Sequence, residues 1–66
     1  MLLKEFTVPE CERFRTICNF TEEEMKVFDL RVKGKSIVEI QIALHLSEST
    51  VNRRIKDVKK KIHKVL

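Results

Sequence analysis

The apolar residues near the C-terminal end of the chain recur at alternating steps of four and three residues, which is the spacing of one face of a helix. This stripe consists of Val51, Ile55, Val58, Ile62 and Val65. Shorter stripes with helical spacing occur in three earlier segments, and no segment alternates with a period of two for long enough to predict a strand. The pattern predicts an all-α fold with helices over residues 8–18, 22–33, 37–44 and 48–65.

Each predicted helix begins at a hydroxyl residue, and three of the four carry a glutamate three residues later. The three pairs are Thr7 with Glu10, Thr21 with Glu24, and Ser36 with Glu39. In such a capping box the hydroxyl accepts a hydrogen bond from an amide of the first turn while the glutamate reaches back to the cap amide. At the fourth start Thr50 takes the place of the glutamate three residues after Ser47. Only the hydrogen bond from an amide of the first turn to the Ser47 hydroxyl is therefore predicted. Asn19 and Gly34 are residues that can end the first two helices, and residues 45–46 leave a short joint before the fourth.

The third and fourth predicted helices have the layout of a helix-turn-helix, in which about three residues join a short helix to a longer, basic one. Apolar residues at the facing positions would hold these two helices at a steep angle over Phe28 and Leu30 of the second helix. They are Ile40, Leu44, Leu46, Val51 and Ile55. The opposite face of the fourth helix is then free to enter a groove of DNA.

The net positive charge of the chain lies in its C-terminal segment. The net charge is +4 overall, but residues 48–66 carry seven basic and two acidic residues, whereas residues 1–47 carry seven and eight. A net +5 on one helix is typical of a protein that lays one element against polyphosphate. It is equally typical of a solvated, lysine-rich helix face.

Length and composition exclude several classes of protein. A chain of 66 residues suits one small domain without a cleft between two lobes. It has no Gly-rich phosphate loop and no metal-ligand spacing, and neither His45 nor His63 has an adjacent nucleophile, so we expect no enzyme, metal or cofactor. Cys11 and Cys18 would lie about 10 Å apart on one helix, too far for a disulfide, and are expected to be buried thiols. No apolar run is long enough to span a membrane and no signal peptide is present, which favours a cytoplasmic protein.

Four motifs follow one another between Phe20 and Ile62. They are Phe20-Thr21-x-Glu23-Glu24, Phe28-x-Leu30, Gly34-x-Ser36-x-x-Glu39-Ile40 and Leu46-Ser47-Glu48-Ser49-Thr50-Val51. In this order they resemble the DNA-binding domain of LuxR/GerE-type regulators and, nearly as much, region 4 of σ70-type sigma factors. LuxR-type domains continue into a dimer-forming helix, whereas residues 59–66 are more similar to the long final helix of σ region 4. We expect a helix-turn-helix core over residues 20–66, preceded by an N-terminal arm and accessory helix over residues 1–19 that packs against the end of the fourth helix.

The fourth helix is expected to read DNA through the face opposite Val51. With a turn of about 100° per residue, that face presents Ser49, Arg53, Lys56 and Lys60, with Asn52 on the flank. The resemblance implies base contacts from the positions just after the Thr-Val pair, which are Asn52, Arg53 and Lys56. Arg53 can pair with guanine through two hydrogen bonds, Asn52 with adenine, and Lys56 can reach guanine or phosphate.

Phosphate contacts are expected from hydroxyl residues at helix N-termini, where free amides favour anions, and from mobile lysines. They are Ser36, Ser47, Ser49 and Thr50 in the first group and Lys35, Lys59 and Lys60 in the second. For Ser47 and Thr50 a purely capping role is the alternative. Arg54 lies on the near side of the helix, and we expect it to pair with an acidic residue such as Glu39.

These observations favour a sequence-specific bacterial transcription regulator that places residues 48–65 in the major groove of double-stranded DNA. One alternative is a σ70 region 4-like module that acts through RNA polymerase. Another is a helical protein-interaction domain whose basic face meets an acidic partner. Salt-dependent binding to duplex DNA separates the first two hypotheses from the third.

One helix in one groove contacts few base pairs, and regulators of this type usually bind paired half-sites as dimers. We predict a homodimer through apolar residues at the two ends of the chain. These residues are Leu2, Leu3, Phe6, Ile62, Val65 and Leu66. The alternative is that residues 1–18 fold back and cover the end of the fourth helix within the same chain, leaving a monomer.

Overall fold

The computed structural model describes residues 6–66, which form four α-helices and, over that range, no strand. The helices are α1 (Val8–Ile17), α2 (Glu22–Val32), α3 (Ile37–Leu44) and α4 (Glu48–Val65). The all-α prediction is confirmed, and α3 and α4 have the predicted bounds. The predictions for α1 and α2 are one residue too long, because Cys18 and Lys33 are C-terminal caps. None of the helices described is long and apolar enough to cross a membrane.

Reciprocal capping boxes begin the first three helices, as the sequence predicts. At α3 the Ser36 hydroxyl accepts from the Glu39 amide at 3.1 Å, and the Glu39 carboxylate accepts from the Ser36 amide at 3.2 Å. The same two bonds occur at the starts of α1 and α2. At α4 the Ser47 hydroxyl accepts from the Thr50 amide at 3.2 Å and donates to the Thr50 hydroxyl at 2.8 Å. These local hydrogen bonds fix the helix starts independently of tertiary contacts.

Three residues with positive φ end the first three helices. Gly34 has φ +84°, and the next amide, that of Lys35, donates to the Leu30 carbonyl at 3.0 Å in the pattern of a Schellman cap. Asn19 has φ +53° after α1. His45 has φ +56° between α3 and α4, where a glycine would avoid the steric cost of the left-handed region.

The core consists of two clusters, which we call the aliphatic and the aromatic cluster. The aliphatic cluster comprises Val27, Ile40, Val51 and Ile55, bordered by Leu30, Ile37, Leu44 and Leu46. The aromatic cluster comprises Cys11, Phe14, Cys18, Phe28, Val58 and Ile62, bordered by Phe6, Phe20 and Val32. The expectation that Phe28 underlies the helix-turn-helix is wrong, because the adjacent residue Val27 takes that place while Phe28 faces α1. Leu30 lies where it was expected.

Helix α1 packs against the second half of α4. Cys11, Phe14 and Cys18 contribute to the same cluster as Ile62, and the ring of Phe6 packs edge-on against Phe14 with ring centroids 4.8 Å apart. An ion pair of 2.7 Å between Arg15 and Asp29 also joins α1 to α2. For the described part of the N-terminal segment, the prediction of packing against the end of α4 is therefore confirmed at Ile62, whereas Val65 and Leu66 stay exposed.

The residues proposed for a homodimer do not form one exposed surface. Ile62 is fully buried and Phe6 is half-buried within the same chain, so that part of the prediction is wrong. The reason is that α1 covers them, which was the alternative left open by the sequence. Val65 and Leu66 stay exposed, and Leu2 and Leu3 lie outside the described residues.

Candidate nucleic-acid interface

One face of α4 is exposed along its whole length and carries polar and basic side chains. These are Ser49, Asn52, Arg53, Lys56, Lys60, His63 and Lys64. The buried stripe of Val51, Ile55, Val58 and Ile62 lies on the other side of the helix, which fixes the direction in which this face points. At 1.5 Å per residue the exposed face is about 22 Å long, enough to follow a major groove over several base pairs. The three predicted base-contacting residues, Asn52, Arg53 and Lys56, all lie on it.

The cations of α4 fall into two sets. Arg54 and Lys61 lie on the side that faces α2 and are bound to acidic side chains. By contrast, Arg53, Lys56 and Lys60 make no hydrogen bond or ion pair to any side chain within residues 6–66. The exposed face therefore presents positive charge that residues 6–66 do not neutralise.

Arg54 pairs with acidic residues as expected, but not with Glu39. Its Nε donates to Glu23 at 2.5 Å, and its Nη1 lies 3.5 Å from the Asp57 carboxylate, one turn further along α4. The hydrogen bond to Glu23 raises the pKa of Arg54. Glu39 is engaged elsewhere: the Ser36 amide donates to its carboxylate and lowers its pKa, and Lys35 lies 3.7 Å away. The prediction failed because the Glu39 side chain is used in the cap of its own helix.

The predicted phosphate-contacting residues differ in whether their side chains extend into solvent or are already hydrogen-bonded within the chain. Ser49, Lys60 and, in part, Lys59 extend from α4 into solvent. Ser36, Ser47 and Thr50 use their hydroxyls in caps, so their capping role is established independently of any contact with DNA. Lys35 is about half exposed beside Glu39. All seven residues lie at the start of α3 or along α4.

Lys64 belongs to the same exposed face and was not among the predicted contact residues. It lies one turn beyond Lys60, and its spacing from Arg53 and Lys60 places it in the same row along the helix. The helical period that identified Lys60 was therefore sufficient to find it.

Reactive cysteine chemistry and metal binding both have little support among the described residues. Cys11 and Cys18 are buried free thiols, and burial raises the pKa of both, which keeps them protonated and unreactive. Across the described residues no three His, Cys, Asp or Glu side chains come together as a metal site would require.

Comparison with protein families matches residues 15–62 to the family described as Sigma-70, region 4. The match covers 48 of the 66 residues and includes the end of α1, all of α2 and α3, and most of α4. Comparisons with curated proteins and with solved structures gave no match. The matched family has a helix-turn-helix fold and indicates DNA binding and a function in transcription. A LuxR/GerE-type fold is compatible with this family.

Proposed function

Because this chain belongs to the Sigma-70, region 4 family, we propose that it is a DNA-binding module that acts in transcription together with RNA polymerase. Helix α4 would lie in the major groove with its exposed face toward the base edges. The observation that carries this proposal is the division of the α4 cations: those facing α2 are paired, and Arg53, Lys56 and Lys60, which face solvent, have no partner in the described part of the chain. An unpaired row of cations on one helix face suits polyphosphate.

Within this proposal the three residues near the start of α4 read bases. Arg53 donates two hydrogen bonds to guanine, Asn52 pairs with adenine, and Lys56 reaches guanine or a nearby phosphate. Their exposure supports these roles because no side chain of the described chain has to be displaced before DNA binds.

The contacts with phosphate come from both sides of the base-reading residues. Lys59, Lys60 and Lys64 follow them along α4. Before them along the chain, Lys35 and the N-termini of α3 and α4 would contact phosphate. At these N-termini amides and hydroxyls favour anions, and the residues are Ser36, Ser47, Ser49 and Thr50. Such contacts hold the register on the duplex without reading sequence.

A partner follows from the size of the interface, since one helix reads too few base pairs for genomic specificity. RNA polymerase is a better candidate than a second copy of the chain, because Phe6 and Ile62, two residues of the hypothetical dimer surface, are used in the intramolecular core. The dimeric LuxR/GerE-type regulator is correspondingly less well supported.

The proposed function is tested by selecting bound sequences from a random duplex pool and titrating the selected site with salt. We expect affinity to fall steeply as salt rises, whereas a domain that binds only an acidic protein would show no such duplex binding.

Arg53→Ala should weaken binding to the selected site by about 1–3 kcal/mol and relax the preference at one base pair. Lys60→Ala should weaken binding to all sequences alike and reduce the salt slope by about 1.

Arg13→Ala is the matched control, because it removes the same charge from an exposed position on α1. It should change the affinity far less than Arg53→Ala. Equal losses for the two variants would mean that α4 is not the recognition helix. Binding to RNA polymerase core enzyme, measured by fluorescence anisotropy of the labelled domain, tests the partner separately.

A further inference from the structure

Two consecutive glutamates of α2 bind α4 at two points on the same side of that helix. The Glu23 carboxylate accepts from Arg54 Nε, and the Glu24 carboxylate accepts from Lys61 Nζ, each at 2.5 Å. Arg54 and Lys61 are seven residues, or two turns, apart, so the two points lie about 10 Å from each other along the axis of α4. We call Glu23 and Glu24 the acidic pair.

The sequence of α4 contains the same arrangement of cations a second time. Arg53 and Lys60 are also seven residues apart, and each immediately precedes a member of the bound set, Arg54 or Lys61. A rotation of α4 by about 100° would bring Arg53 and Lys60 to the places of Arg54 and Lys61 and turn the base-reading face toward α2. The apolar stripe opposes this rotation, but apolar contacts are non-directional and tolerate smaller rotations. Two charge-assisted hydrogen bonds are directional and fix the angle more narrowly.

The two bonds of the acidic pair differ in their surroundings. The Glu24 side chain is only 7% exposed, and its carboxylate also closes the capping box of α2 by accepting from the Thr21 amide at 2.9 Å. Lys61 donates in addition to the Asn19 carbonyl in the α1–α2 linker at 3.3 Å. The Glu23 side chain, at 42% exposed, is more accessible. A buried ion pair adds little net stability compared with apolar packing, and its best-attested role is to select one arrangement among several.

From this geometry we propose that Glu23 and Glu24 are positioning residues that set the rotation of α4 about its own axis, so that Arg53 and Lys60 face DNA while Arg54 and Lys61 do not. The proposal rests on the function proposed above and deepens it. It makes specificity for DNA depend on two acidic residues of α2 that never touch the nucleic acid.

The test compares specificity, not stability alone, across variants of the acidic pair. The measured quantity is the ratio of the dissociation constants for a scrambled duplex and for the selected site. Glu23→Gln should lower this ratio roughly tenfold, because it removes one of the two directional contacts. The charge-swapped variant Glu23→Arg with Arg54→Glu, made together with Asp57→Asn because Asp57 lies 3.5 Å from the Arg54 side chain, should restore the ratio to within about threefold, because it rebuilds the ion pair in reverse. Glu22→Gln is the matched control, since within residues 6–66 this exposed neighbour pairs only with Lys26 of its own helix.

Rotation of α4 is measured independently from backbone residual dipolar couplings of the free domain, which need no DNA. A changed set of couplings for α4 in Glu23→Gln, together with a lower ratio and recovery in the swapped variant, supports the proposal. An unchanged ratio in Glu23→Gln, with the melting temperature lowered, would overturn it and leave the acidic pair a purely structural role. If the parent protein binds no duplex DNA, the proposed function fails instead, and the couplings alone decide whether the acidic pair orients α4.

Discussion

The two halves of α4 are packed by different partners. The first half buries Val51 and Ile55 against α3 in the aliphatic cluster. The second half buries Val58 and Ile62 against α1 in the aromatic cluster, next to two phenylalanines and both cysteines. Among the helices described, α2 alone reaches both halves, through the consecutive residues Val27 and Phe28.

The difference shows that a helix-turn-helix accounts for only part of this domain. Helices α2 and α3 suffice to cover the half of α4 that would read bases. The half that supplies most of the lysines needs a further cover, and α1 provides it. The length of the basic helix therefore depends on a segment that takes no part in the helix-turn-helix.

The largest expected effect comes from a charge placed in the first half of α4. Val51 is fully buried, so Val51→Asp would place an unpaired carboxylate in the aliphatic cluster at a cost of several kcal/mol. The total stability of a chain of this size is about 3–10 kcal/mol, and we expect the whole domain to unfold. Circular dichroism during thermal melting measures this, with the exposed Asn52→Asp as the control. A cooperative melt close to that of the parent would show that this half is not essential to the fold.

The second half of α4 is tested by Phe14→Ala, which removes a buried ring from the aromatic cluster and should cost about 3–5 kcal/mol. Urea denaturation measures the loss, and Ile17→Ala on the exposed side of α1 is a control that should cost much less. Hydrogen exchange then sharpens the comparison. Amides near Ile62 should lose more protection than those near Ile40. An equal loss at both places would mean that the two halves unfold as one unit.

A pH effect is expected from Glu24, which holds the second half of α4 through Lys61. Burial alone would raise the pKa of this carboxyl, but hydrogen bonds from Lys61 and Thr21 outweigh burial and lower the pKa below its ordinary value of 4.5. A carboxyl with a lowered folded-state pKa stabilises the fold above its unfolded pKa, and that contribution is lost as the pH falls through the folded value.

The free energy of unfolding should therefore decrease below about pH 4.5, and less steeply in Glu24→Gln than in the parent protein. Chemical denaturation at a series of pH values measures both slopes. Glu39, whose pKa is also lowered, contributes in the same direction in both proteins, and Glu39→Gln gives its separate share. Identical slopes for the parent and Glu24→Gln would contradict the assignment to Glu24.

The smallest expected effect is a gain in stability from a substitution in the turn that precedes α4. His45→Gly should stabilise the domain by about 0.5–1 kcal/mol, because glycine adopts the left-handed conformation of this residue without steric cost. His45→Ala is the control, since alanine meets the same restriction as histidine and should bring no gain. A thermal melt resolves the two, and a loss of stability in His45→Gly would show that the histidine side chain contributes a contact of its own.

The sequence was sufficient to predict the helices and the exposed face of α4, because caps and apolar spacing are local signals. It was insufficient for contacts between helices. The pairing of Arg54 with Glu23, and the packing of Val27 where Phe28 was expected, depend on how α2 crosses α4. Apolar periodicity marks the face of a helix but not the crossing point. The adjacent glutamates and the seven-residue spacing of Arg54 and Lys61 were visible in the sequence but gain meaning only once that crossing is known.

The consecutive residues Val27 and Phe28 also bear on how freely this domain can change during evolution. Helix α2 contributes one of these residues to each cluster, whereas the buried residues of α1, which are Cys11, Phe14 and Cys18, all belong to the aromatic cluster. Divergence should accumulate in α1 first, while α2 and α4 are held by their double contacts. The family match begins at residue 15, near the end of α1, and runs through α2 to residue 62. Most of α1 thus lies outside the matched region, in keeping with its contact with one cluster alone.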